Sequence, residues 1–228
     1  MKKLLLCIFT FLSFLSISQT ITGIGQLRLG NSVSSVLYFT NTDDVIKCYK
    51  RREIYDNSKN VIELMSDTTS DEKLTYAYYT PDVRVLKFPS IEINSEVTLT
   101  EVYLVFYMDT LIKISSDGNL KLNDALTLKY GEPKTDIVET PKEYTLRNGN
   151  NITLTDQMLT KKWGTNPKIS CYSLFSKYYS GSIDPKYLSL FSLYYNQSLT
   201  YIDNENKKYE KRIKERIEQE KKNKLKDF

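Results

Sequence analysis

The chain of 228 residues contains no histidine. That absence removes Ser-His-Asp and Cys-His nucleophiles, histidine zinc sites and the usual general base at neutral pH. Of its three cysteines, Cys7 lies in the N-terminal apolar run. The other two, Cys48 and Cys171, are too few to make a structural zinc site. Glycine and proline are sparse, with eight and six residues. Net charge is small. Without Lys2 and Lys3 the formal +4 becomes +2, and 203–228 holds ten Lys/Arg against seven Asp/Glu, so the body, 19–202, sits near −1. A body that close to neutral lacks the basic footprint of a nucleic-acid binder.

The glycine-rich stretch "GIGQLRLGNS", 23–32, also lacks what a phosphate loop needs. Its spacing is G-x-G-x-x-x-x-G, not G-x-G-x-x-G, and Asn31 stands where a Walker loop has lysine. It fits a short strand, a turn at Gly30 and a helix capped by Ser32, with Val33, Val36 and Leu37 on the buried face. Neither a cofactor nor a metal is expected. Asp67, Asp71 and Glu72 lack the EF-hand spacing. The Ser70-to-Lys73 pair lacks the companion motifs of an acylating serine.

What is present begins with Lys2, Lys3 and the apolar run Leu4 to Ile17. The run is shorter than the ~20 residues that span a bilayer. Ser16 and Ser18 put small residues where a signal peptidase reads, so 1–18 is expected to be a signal peptide cut before Gln19. The mature chain is then periplasmic or secreted, with membrane contact at most peripheral. An oxidising compartment permits a disulfide. Cys48 in "VIKCYK" and Cys171 in "KISCYSLF" are either two buried thiols or a pair. The pair is the expectation carried forward.

The body reads as α+β, an antiparallel sheet with two short helices packed on it. Strands are expected in "VIKCYKRREIY", "VIELM", "LTYAYYT" and "DVRVLKF". The segment "EVYLVFYMDTLIKIS", 101–115, is apolar on both faces and should be central, with its turn at Asp109-Thr110. A helix over 118–133 buries Leu122, Ala125, Leu126 and Tyr130, takes a cap from Asn119 or Asn123, and stops at Gly131 and Pro133. Strands follow in "EYTLRN", "QMLTKKW", "KISCYSLF", "YLSLFSLYY" and "LTYID". Residues 19–202 form one domain, or two packed halves, 19–115 and 119–202. A long charged helix over 203–228 carries the stripe Tyr209, Ile213, Ile217, Leu225 and Phe228. It should dock near Tyr209 to Ile217 and project beyond, as a possible interaction helix.

Three segments together carry a resemblance. "LRLGNSVSSVL", "VYLVFYMDTLIKI" and "LNDALTLKYGEP" resemble the Leu-x-x-Gly helix start, the Phe-x-x-Asp-x-Leu strand and the Gly-x-Pro helix end of the SmpA/OmlA (BamE-like) outer-membrane assembly lipoproteins. Asn31 stands where that family has methionine, and the lipid-attachment cysteine is missing. "KYGEP" followed by the lone-tryptophan strand "TKKWG" is similar to a set of exported bacterial proteins of no assigned activity. The resemblance implies an α+β envelope protein.

Eighteen tyrosines suggest sugar stacking, but tyrosine also suits half-buried strands, and AT-rich codons favour it. Asp43, Asp44, Glu92, Glu96 and Glu101 are acids available to a carboxylate pair. The expected function is an exported non-catalytic envelope protein that binds a protein or cell-surface partner. The alternative is a secreted hydrolase using a carboxylate pair.

Overall fold

The segment 98–107, apolar on both sides, lies near the centre of a nine-stranded mixed sheet in the computed structural model, which describes residues 20–67, 74–146, 148–180 and 182–226. The expected signal peptide, Ser70, Asp71, Glu72, Lys73 and Phe228 lie outside the described residues. The elements run β1 (Gly23–Ile24), β2 (Leu27–Arg28), α1 (Val33–Phe39), β3 (Ile46–Cys48), α2 (Arg51–Asp56), β4 (Ile62–Leu64), β5 (Val83–Glu92), β6 (Thr98–Tyr107) and β7 (Thr110–Asp117). Then follow α3 (Leu120–Tyr130), β8 (Lys134–Thr145), β9 (Asn151–Trp163), β10 (Ile169–Tyr178), β11 (Lys186–Tyr195) and α4 (Asn196–Lys226). The fold is α+β. The order across the sheet is β3-β4-β5-β6-β7-β11-β10-β9-β8. Among the described residues only β3 and β4 pair in parallel. Two meanders, one from each half of the chain, therefore join edge to edge where β7 meets β11, with Ile114 opposite Leu193.

Each face of the sheet has its own core. On the first face Leu86, Phe88, Leu104, Phe106, Ile114, Phe191 and Leu193 pack with α1, α3 and the β1–β2 hairpin. On the second, Ile62, Leu64, Val85, Val105 and Ile112 pack with Leu74, Ala77 and Ile202 of α4. Alternation on β6 explains the split. Val102, Leu104 and Phe106 point to the first face, and Val105 with Tyr103 and Tyr107 to the second.

The glycine-rich stretch is a structural joint. Gly30 has φ +99, the conformation that favours glycine. Its N–H donates to the Leu111 carbonyl at 2.8 Å, and Leu111 N–H donates to the Asn31 carbonyl at 2.8 Å. Ser32 Oγ accepts from Ser35 N–H at 3.1 Å, and Asp109 Oδ1 accepts from Val33 N–H at 3.1 Å. The start of α1 is thus satisfied by a carboxylate of this chain, which also complements the helix dipole. The β6–β7 turn is Met108-Asp109, both at positive φ, one residue earlier than expected. That shift aims Asp109 at the helix.

Helix α3 forms as its sequence predicts. Asn119 accepts from Leu122 N–H, Leu122 and Leu126 are buried, and Gly131 at φ +84 ends it. Ala125 is exposed rather than buried. Other expectations change. "KRREIY" is mostly helix α2, because Glu53 accepts from the N–H groups of Tyr49 and Lys50 and caps a turn there. "LTYAYYT" is irregular, and "LTYID" is the first part of α4, which begins at Asn196 rather than 203.

The expected disulfide is not there. Cys48 and Cys171 are both buried and free. Cys48 belongs to the second-face core and Cys171 to the first. Their strands, β3 and β10, are six places apart in the sheet, about 29 Å at the usual strand spacing. A bridge needs Cα atoms within about 7 Å. Burial pushes the Cys171 thiol up to about 12, and burial together with Glu53 raises Cys48. Neither is a thiolate near neutrality. Iodoacetamide at pH 8 should therefore leave both unlabelled in the native protein and label both in denaturant without reductant. Labelling that appears only after reduction would overturn this assignment.

Candidate functional site

A cavity of about 500 Å³ lies on the second face. Its floor is apolar, from Leu64, Leu74 and Ile54, and its walls carry Arg51, Tyr55, Tyr76, Lys87, Glu101 and Tyr103. Strand alternation places Lys87 there, two residues after Val85 on the same side, and directly opposite Tyr103 of β6. Glu101 has φ +49. Leu99 and Val102, on either side of this distortion, both reach the first-face core, so the alternation resets at Glu101. Its carboxylate meets Lys87 Nζ at 2.8 Å. Lys87 is 8% exposed, and its ammonium lies 5.9 Å from the Tyr103 ring centre. The Tyr76 and Tyr103 rings stand 4.3 Å apart, tilted by 41°.

Electrostatics couple this wall to Asp117. Burial first, then Glu101, raise the Asp117 carboxyl above its ordinary range, while a Thr100 hydrogen bond and Lys87 pull it back. Burial, then Glu101, also raise the Tyr103 hydroxyl far above the usual phenol range. Of the five acids singled out in the sequence, only Glu101 lines this cavity. Asp43, Asp44, Glu92 and Glu96 are exposed. Asp117 was missed; the cue was the polar alternation Lys113, Ser115, Asp117 on β7. No three His, Cys, Asp or Glu side chains among the described residues are placed to hold a metal.

A second concavity, about 520 Å³, lies against Trp163, Tyr172, Tyr194 and Asn196. Trp163 itself is structural. It is buried, and its indole N–H donates to Thr127 Oγ1 of α3 at 3.2 Å.

Helix α4 docks earlier than the stripe expected from sequence. Ile202 is fully buried, and Asn206 Oδ1 accepts from Tyr79 N–H at 2.7 Å. The Tyr201 and Tyr107 rings are 6.0 Å apart. Beneath this turn burial lowers the Lys113 ammonium while Asp203 works against the shift. Further along, Tyr209 and Ile213 are half-buried, Ile217 is buried, and 218–224 are exposed. The Leu225 side chain, like Phe228, lies outside the described residues. No helix among the described residues is long and apolar enough to cross a membrane.

The free end of the sheet is different in character. Strand β8 is an edge strand of 12 residues, nearly all exposed. With its neighbours it shows apolar side chains on both faces. Ile137, Phe175 and Tyr187 lie on the first face, with Phe175 and Tyr187 rings 5.9 Å apart. Val138, Met158 and Leu188 lie on the second, aligned across β8, β9 and β11. Pro141 and the mixed charges of "KTDIVETPKEYT" guard the edge against strand pairing.

Set against known protein families, curated proteins and solved structures, the chain matches none.

Proposed function

We propose that the chain is an exported, non-catalytic envelope protein that binds another protein through the free end of its sheet. The carrying observation is a pair of exposed apolar clusters at this end, Ile137, Phe175 and Tyr187 on one face and Val138, Met158 and Leu188 on the other. Single exposed apolar residues are ordinary, but a cluster on both faces of one sheet end marks an interaction surface. The charged N-terminus and the apolar run Leu4 to Ile17 support export. The carboxylate-pair hydrolase is the weaker reading. Glu101 raises the Asp117 carboxyl, yet Lys87 holds Glu101 in an ion pair, so these two acids are not free to act as a pair.

A photo-crosslinking residue at Val138 or Leu188, in the native cells, should capture a discrete envelope protein. Met158→Lys, between Val138 and Leu188 on the same face, should abolish that capture without unfolding the chain. If crosslinks from these sites match those from exposed Tyr38 on α1, the surface has no dedicated partner. If purified protein also cleaves a polysaccharide panel, and Asp117→Asn stops it, the hydrolase replaces this reading.

A further inference from the structure

We propose that the cavity between α2, β5 and β6 binds a neutral saccharide, one or two rings long. Lys87 and Glu101 hydrogen-bond its hydroxyls, and tyrosine rings cover its C–H faces. An ammonium has three donors. Lys87 Nζ pairs with Glu101 at 2.8 Å and can turn its other donors toward a ligand. Glu101 Oε2 faces Lys87, and the other carboxylate oxygen can accept from the same ligand. The cavity therefore offers donors and acceptors side by side, as a vicinal diol requires.

Charge narrows the class further. Lys87 and Glu101 neutralise each other. Arg51 on the same lining is exposed, where solvent screens its charge. A wholly apolar ligand would strip water from Lys87 without replacing its hydrogen bonds, which is costly. A neutral polyol with an apolar face satisfies every wall. Tyr76 and Tyr103 form one side and Tyr55 the rim, with Leu64 and Leu74 beneath. The volume, about 500 Å³, lies in the range of small-molecule sites.

This site is remote from the sheet end built on β8–β11, so either proposal can fail without the other. Saturation-transfer NMR on the purified chain, with cellobiose, maltose, N,N′-diacetylchitobiose and benzoate as probes at millimolar concentration, tests it. At least one disaccharide should receive saturation. Tyr76→Ala, which trims an exposed ring, and Glu101→Gln should each weaken binding about tenfold or more. Tyr187→Ala, at the sheet end, should leave it unchanged. Retention on the matching insoluble polymer would place the sugar within a polysaccharide, and binding of the disaccharide alone would make it a free sugar. The proposal is overturned if no disaccharide responds, if benzoate alone binds, or if binding survives both cavity substitutions. Should Glu101→Gln fail to fold, Tyr76→Ala decides.

Discussion

Phe106→Ala is expected to lower stability by about 3–5 kcal/mol, and to move the Trp163 fluorescence transition as far as the far-UV ellipticity. Phe106 is fully buried on β6, in the first half of the chain. Trp163, the single tryptophan, sits on β9 in the second half. The two share one core. It runs unbroken from Leu86 and Phe88 through Leu104, Phe106 and Ile114 to Phe191, Leu193, Cys171 and Trp163. The backbone is continuous across the same seam, where β7 pairs with β11 and Ser115 Oγ lies 3.2 Å from Ser192 Oγ. A cavity made on β6 should therefore be felt at Trp163, because two halves that share a core unfold together. Urea titrations of wild type and variant, followed by both probes, give the answer. A Trp163 midpoint that stays put while ellipticity shifts would mean that 19–115 and 119–202 are separate units. If Phe106→Ala does not fold, Phe106→Leu applies the same logic with a smaller loss.

Legibility in this chain followed the range of the interactions. Helix α1 was readable because Ser32, Val33 and Val36 act within one turn. Helix α3 was readable for the same reason, from Asn119 to Gly131. The central position of β6 was readable because both of its faces are apolar. Strand β8 was not, over 134–142, because almost every side chain is exposed and polarity carries no alternation there. The disulfide expectation failed on a long-range fact. Both cysteines lie in strands, but which face each enters depends on strand order. The cavity was illegible for a related reason. Its residues come from α2, from 74–76 and from β5 and β6, and the distortion at Glu101 breaks the period-2 pattern that would have placed that side chain. Its paired charge, Lys87, reads in sequence as one polar position in "DVRVLKF".

Helix α4 should divide sharply into a structural part and an expendable part. Ile202→Ala is expected to cost about 2–5 kcal/mol, as for other fully buried aliphatic side chains cut to alanine. Asn206→Ala should cost about 1–3 kcal/mol. The buried Asn206 side chain accepts from Tyr79 N–H and donates to Glu210 Oε1 at 2.8 Å. Its removal takes a hydrogen-bond acceptor from the Tyr79 N–H in the irregular 74–80 segment, and that segment also supplies Leu74 and Ala77 to the second-face core. The distal turns behave differently. Their ion pairs, such as Lys211–Glu215 at 3.8 Å and Arg216–Glu220 at 3.7 Å, are largely exposed. Such pairs contribute only a few tenths of a kcal/mol each. Deleting 218–228 should thus shift stability by less than about 0.5 kcal/mol, because Ile217, the last buried side chain among the described ones, is retained. Thermal and urea unfolding of the three variants measure the contrast. A large loss on deleting 218–228, or none from Ile202→Ala, would show that the anchor lies beyond Ile217 rather than at the turn from Ile202 to Asn206. If the truncated chain keeps its stability but loses its Val138 crosslink, the distal helix is part of the partner surface, and the stripe Tyr209, Ile213, Ile217 serves to hold that extension in place.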